Sequence, residues 1–219
     1  MPPKPKFSKE EIVDAALGIV QRSGMQALTA RELGDALGSS PRPIFTVFKN
    51  MDELYHAVRA EAMRRYDAYV SSARDYFPSF KAIGILMLRY AKEQPRLFQL
   101  LFMNENSGAR QFSDVFDSLG ETAKLCLEVV MSDYGFTAEE AQFLFQYVWT
   151  FTYGVSAMCV TGMCDFSEDE LINMLGNEFF AIMSFMKSGM RDNIIINMRP
   201  VKRGESFDPS QTELAFKKE

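Results

Sequence analysis

"LTARELGDALGSSPRPIFTVFKNMDEL", residues 28–54, is the stretch whose reading decides the fold. Thr29 precedes Glu32 by three residues, and Leu28 and Leu33 flank them. That spacing is a capping box with a hydrophobic staple, the mark of a helix start. A short helix over Ala30–Leu37 follows, and Gly38 ends it. Two serines come next, then Pro41 and Pro43 within one apolar-periodic run. A proline in a helix interior costs roughly 3 kcal/mol, because it lacks an N–H and its ring meets the preceding turn. The first turn is the place where prolines do no harm, since its N–H groups have no acceptor within the helix. With Ser40 as the cap, Pro41 is the first helical residue and Pro43 the third. With Ser39 as the cap, Pro43 becomes the fourth residue, whose N–H is needed. The prolines therefore predict a second short helix from Ser40 to Phe48, although Pro43 disfavours helical geometry at Arg42. Two short helices joined by a glycine turn form a helix-turn-helix, whose second helix presents its N-terminal residues to the major groove of DNA.

The rest of the chain is punctuated in the same way. Ser8 with Glu11, Thr137 with Glu140, and Ser167 with Glu170 repeat the box, each opening an apolar-periodic run. The pattern predicts an all-α fold of about nine helices: a three-helix head, a long fourth helix from near Asn50 to about Tyr76, and helices over 79–93, 95–104, 109–133, 138–163 and 168–188. Gly24 suits a left-handed cap on the first helix. The expected divisions are a DNA-binding head at 1–50, a ligand-binding and dimerisation body at 51–190, and a tail at 191–219. No strand-like run stands out.

Composition narrows the function. The chain has 219 residues and a formal net charge of −5. Residues 1–50 hold seven Lys and Arg against five Asp and Glu, so the head carries +2 and the remainder −7. A basic head on an acidic body fits contact with a polyanion at one end. Cys126, Cys159 and Cys164 lie on apolar stretches and match no zinc spacing, so they read as reduced packing residues. His56 is the single histidine. There is no phosphate-cradling glycine loop, metal constellation or nucleophile–base pair, and no catalytic residue, cofactor or metal is expected. Ala141–Cys164 contains no charge and is long enough to span a membrane. Its flanks are acidic where a spanning helix commonly has Lys or Arg, so it reads as a helix buried within a bundle or between subunits. "MPPKPKFSKEE" has no apolar stretch, so no signal peptide is expected, and the chain reads as cytoplasmic.

The combination of Leu28-Thr29, the apolar run, Gly38, the serines, Pro41 and the aromatic stretch before Asn50 resembles the DNA-binding head of the TetR family of bacterial repressors. The resemblance covers roughly residues 8–58. It implies that Thr29 binds phosphate with Arg31 beside it, that Ser40 caps the reading helix, and that Pro41 and Arg42 face the groove. Phe45 stands where the family usually has Tyr, Val47 replaces the usual His, and Met51 the usual Lys. Thr46 remains as a polar contact, Lys49 can substitute for a lost anchor, and Lys4, Lys6 and Lys9 can form a basic arm. With fewer phosphate anchors, binding should be modest or strongly salt-sensitive.

The resemblance also implies a helical body that dimerises and holds a small ligand. Residues 168–188 place Leu171, Leu175, Phe179, Ile182 and Met186 on one stripe, and 141–164 is apolar nearly all round. A homodimer through about 141–188 is expected, with Gly154 allowing close helix approach. Trp149 and Tyr153-Gly154 resemble a Trp-x-x-x-His-Gly feature of one subgroup. Phe98 and Phe102, and Phe143, Tyr147 and Phe151 at i, i+4, i+8, offer aromatic walls for a largely apolar ligand. Asn104, Gln146 and Tyr153 are candidate polar contacts. Ordinary core packing is the better explanation of any one of these residues taken singly. The function expected is a transcriptional repressor released from a double-stranded DNA operator by a small-molecule effector. The alternative is a helical adaptor that binds protein and not DNA.

Overall fold

The computed structural model describes residues 5–103 and 111–188 and, as backbone, 194–197 and 213–216. Nine α-helices occur among the described residues: α1 Lys9–Ser23, α2 Ala30–Ala36, α3 Met51–Ser71, α4 Ser79–Glu93, α5 Pro95–Phe102, α6 Phe112–Leu119, α7 Glu121–Tyr134, α8 Ala138–Val160 and α9 Glu168–Lys187. The fold is all-α, as the capping boxes foretell. The helix starts follow those boxes closely. Ser8 and Glu11, Thr137 and Glu140, and Ser167 and Glu170 each exchange both hydrogen bonds. At Thr29 only half the box forms: its hydroxyl accepts from the Glu32 N–H at 3.1 Å, while its own N–H donates to the Ala27 carbonyl.

Four expectations need correction. No α-helix runs from Ser40 to Phe48: a turn leads into a single 3-10 turn at Ile44–Thr46. Ser40 is therefore not a helix cap. The residue before the 3-10 turn is Pro43, with no side-chain cap bond. The cause is the proline pair. Pro41 and Pro43 supply no N–H, and the Pro43 ring keeps Arg42 from starting a ladder. Ile44 N–H then bonds Pro41 O, and Thr46 N–H bonds Pro43 O, both at 3.1 Å with three-residue spacing. Second, the helix expected at 109–133 is two helices. Gly120 has φ +52° and ψ −115°, a conformation open to glycine, and it separates α6 from α7. Third, Ile194–Asn197 pairs antiparallel with Glu213–Phe216, in the register Ile194 opposite Phe216. The β-branched run Ile194-Ile195-Ile196 favours that extended state. Gly24 ends α1 with φ 82° but ψ 171°, which is extended and not left-handed helical.

By contacts the chain divides into residues 1–175 and 176–219. In the first unit, α1 buries Ile12, Ala16, Ile19 and Val20, with Leu28, Leu33, Ile44 and Phe48 completing the head core. Helix α3 buries Leu54, Val58, Ala62, Tyr66 and Val70, a strict i, i+4 stripe that carries it from head to body. Helices α4 and α8 pack together, and α8 buries Leu144, Phe145, Val148 and Thr152 on one face. Leu171 and Leu175, expected on a partner-facing stripe, are buried here, and Leu175 packs against Gly84 of α4. No helix among the described residues is long and apolar enough to cross a membrane.

Candidate nucleic-acid interface

The reading segment is shaped by one close approach. A Cβ placed on Gly34 would lie 2.9 Å from the Ser39 carbonyl oxygen and 3.0 Å from the Pro41 nitrogen. Both neighbours are backbone atoms, so only glycine lets the chain after α2 fold back so tightly. The Ser39 N–H donates to Gly34 O at 2.9 Å and closes the turn, while Gly38 takes φ +61°. Sequence reasoning located Gly38 but missed Gly34. Its signal was a glycine inside a helix, where alanine would be favoured by about 1 kcal/mol.

Ile44 and Phe48 anchor the turn from below, both essentially fully buried. That leaves Ser40, Arg42, Phe45, Thr46 and Lys49 exposed and Pro41 half-buried. Thr29 and Arg31, at the start of α2, are exposed as well. The Thr46 hydroxyl donates to Pro43 O at 2.6 Å. Two lysines close on this segment from α1 and the residues before it. Lys6 Nζ donates to Ser39 Oγ at 3.0 Å. Lys9 Nζ lies 5.7 Å from the centre of the Phe48 ring, within cation–π range. Lys4 lies outside the described residues. The Asn50 side chain accepts from Glu53 N–H, Glu53 accepts from Lys49 N–H, and Tyr55 Oη donates to Leu28 O at 2.9 Å. The start of α3 is thereby fixed to the head. In charge and shape the segment offers two cations, an apolar ring and hydroxyls on a rigid loop.

Helix α3 also carries the polar contacts between head and body. Glu61 sits between Arg64 and Arg65, whose hydrogen bonds bring its carboxyl down to about 2. Arg65 pairs in turn with Asp14 of α1. A surface groove of about 610 Å³ runs between α1 and α3, lined by Lys9, Asp14, Ala57, Ala60, Glu61 and Arg65 among others. A smaller polar one of about 270 Å³ separates the end of α1 from α5, beside Gly24, Arg96 and Gln99. Neither is lined by any of the residues expected to form a ligand pocket.

Those residues fall into two groups. Phe98, Phe102 and Tyr153 come together: Phe98 and Phe102 rings are 4.9 Å apart, Phe98 and Tyr153 6.3 Å, and Tyr153 Oη donates to Phe102 O at 3.3 Å. Trp149 stacks on Tyr153 at 5.3 Å and meets Phe112 edge-on at 5.9 Å, which extends the aromatic column. Tyr66 adds edge contacts to Phe102 and Tyr90, each at 5.0 Å. Trp149 was noted only for its spacing to Tyr153, and Phe112 and Tyr66 were missed, since they come from other helices. Phe143 and Tyr147 instead pair with each other at 4.7 Å, about half a helical turn round α8 from Phe145, Trp149 and Tyr153. Gln146 and Tyr147 are exposed, and Phe151 is half-buried. Asn104 lies outside the described residues. Among the described residues no cluster of His, Cys, Asp or Glu could hold a metal ion.

Known proteins place this arrangement. The model of the family "Bacterial regulatory proteins, tetR family" matches residues 12–58. The class D tetracycline repressor of Escherichia coli is 23% identical over 150 residues, 68% of this chain and 65% of that protein. The match thus spans just under two thirds of that relative's length. In fold, a transcriptional regulator from Rhodococcus sp. superposes with a TM-score of 0.60 at 15% identity, over 81% of this chain and 97% of that one. A regulator assigned to the TetR family from Mesorhizobium loti superposes with a TM-score of 0.53 at 14% identity, over 80% and 95%. The head thus matches the tetR family model over residues 12–58, and the described fold resembles that of two known transcriptional regulators.

Proposed function

We propose that this protein is a homodimeric transcriptional repressor that binds a double-stranded DNA operator through its head and leaves it when a small, largely apolar effector binds the body. The observation that carries the reading is the turn over Gly34, which holds Arg42, Phe45, Thr46 and Lys49 exposed on a buried Ile44–Phe48 base. Thr29 and Arg31 serve the phosphates at the start of α2, with Lys6 and Lys9 as the basic arm. Residues 1–50 act as the DNA-binding domain, 51–190 as the ligand-binding and dimerisation domain, and 191–219 as a tail.

The aromatic column of Phe98, Phe102, Trp149 and Tyr153 supplies one wall for the effector. An aromatic wall with one hydroxyl suits an apolar molecule with a single polar group. The exposed strip of α8, with Tyr147, Thr150 and Gly154, faces the dimer partner. In such a dimer the two reading turns lie about one DNA turn apart, roughly 34–36 Å. An effector acts by favouring one spacing of the heads, and its influence equals its differential affinity for the two states, about 1–3 kcal/mol.

A mobility-shift assay on DNA upstream of its own and neighbouring genes tests the reading. A salt-sensitive, sequence-dependent shift that an apolar effector abolishes is expected. No shift on any duplex, with capture of a protein partner instead, would establish the adaptor reading.

A further inference from the structure

We propose that Phe45 reads a thymine methyl group in the major groove and so sets operator sequence preference, an inference that rests on the DNA-binding function above. Phe45 is 43% exposed, the one large hydrophobic side chain so exposed among the described residues of the head. It lies in the 3-10 turn Ile44–Thr46, directly between buried Ile44 and exposed Thr46, and three residues after exposed Arg42. Its backbone is fixed: Val47 N–H and Phe48 N–H both bond Ile44 O, and the Ile44 and Phe48 side chains are buried. The ring therefore has little freedom to fold inward.

A phenyl ring has no hydrogen-bonding group, so it gains nothing from a phosphate. It sits between two groups that do favour a polyanion, Arg42 and Lys49. In the major groove the apolar feature on a base edge is the C5 methyl of thymine. Guanine, cytosine and adenine carry no methyl there, and an apolar ring against their donors and acceptors would strip water without replacing it. Phe45 thus discriminates by contact with a methyl group, beside an Arg42 able to take a guanine.

The experiment begins with selection of duplexes from a random library by the full-length protein and by Phe45→Ala. Each thymine of the enriched wild-type site is then replaced singly by deoxyuridine, which lacks the methyl group and keeps the pairing. Wild-type affinity is expected to fall about fourfold at one thymine per half-site, the worth of one buried methyl. Phe45→Ala should be insensitive at that position, with its selected sites relaxed there, and Phe45→Leu should keep part of the sensitivity. Circular dichroism confirms that the variants are folded. Equal sensitivity of wild type and Phe45→Ala, or no sensitive thymine in a well-enriched site, overturns the assignment while leaving DNA binding intact. Failure to enrich any duplex overturns the DNA-binding function and this inference with it.

Discussion

The guanidinium of Arg59 donates to the carbonyl oxygen of Leu101 at 3.1 Å, joining the helix that leaves the head to the last turn of α5. That carbonyl is one of the four at a helix end with no partner inside the helix. The next one, Phe102 O, accepts from Tyr153 Oη of α8. The end of α5 is therefore held from two sides, by α3 and by the central helix. Arg59→Ala should lower unfolding stability by about 1 kcal/mol, the net worth of such a bond. Urea titration followed by circular dichroism measures this, and an unmoved midpoint would mean the contact contributes nothing in solution.

Gly34→Ala and Gly154→Ala should behave in opposite ways. At Gly34 the new methyl meets backbone atoms at 2.9 and 3.0 Å, so the turn must open, at a cost of about 2 kcal/mol beyond any gain in helix propensity. At Gly154 nothing lies within 4 Å of the added atom in the single chain. There alanine should stabilise the chain by roughly 0.5–1 kcal/mol, yet weaken a dimer in which this face is tightly packed. Thermal unfolding and sedimentation of both variants separate the two effects.

Arg42→Ala should weaken operator binding by about 1–3 kcal/mol and relax preference at one base pair, if the guanidinium takes a guanine edge. A contact to phosphate alone would weaken all duplexes alike and flatten the salt dependence. Affinities measured across a salt series on matched and mismatched duplexes distinguish these, and no change in either removes Arg42 from the interface.

The Glu61 carboxyl, brought to about 2 chiefly by its hydrogen bonds to Arg64 and Arg65, makes a pH prediction. The folded value lies below the unfolded one of about 4.3. Its stabilising effect is therefore present above that unfolded value and is lost as pH falls toward 2. The stability gap between wild type and Glu61→Gln should be widest above about pH 5 and should close by about pH 2. The arginines are largely solvated, so the gap is small. Denaturant midpoints across this range check it, and a gap that widens in acid would reverse the sign.

Thiol chemistry should single out Cys126. Burial pushes its thiol up to about 12, and it is almost wholly inaccessible. Cys159 and Cys164 are half-buried and unbonded to each other. Ellman's reagent at pH 8 should count two thiols in the native protein and the third only on unfolding. Rapid reaction of all three would show that α7 opens readily.

Local signals made most of this legible. Capping boxes are short-range hydrogen-bond patterns, and the starts of α1, α8 and α9 fell where Ser8, Thr137 and Ser167 put them. The reading segment was half legible. Its prolines announced a constrained start, but the balance between a first-turn position and a lost ladder went to Pro43 and the residue before it. The Gly34 approach and the Arg59–Leu101 bond were hidden because each joins residues that the chain brings together only after folding. The aromatic column was similarly divided. Spacing along α8 could relate Phe143 to Tyr147, but not reveal that Trp149 and Tyr153 face Phe98 and Phe112.

The proline-fixed 3-10 turn has a calorimetric consequence. A reading element that must fold on contact loses conformational freedom at that moment and buries its own apolar surface then, which gives association a large negative heat-capacity change. Here Ile44 and Phe48 are already buried, and Pro41 and Pro43 already restrict the backbone. Association should thus carry only the heat-capacity change of the surface in contact with DNA. For the proposed dimer on DNA, differences in affinity between duplexes should then arise from the side chains at 42, 45 and 46 and from the spacing of the two heads, not from how well the loop is ordered.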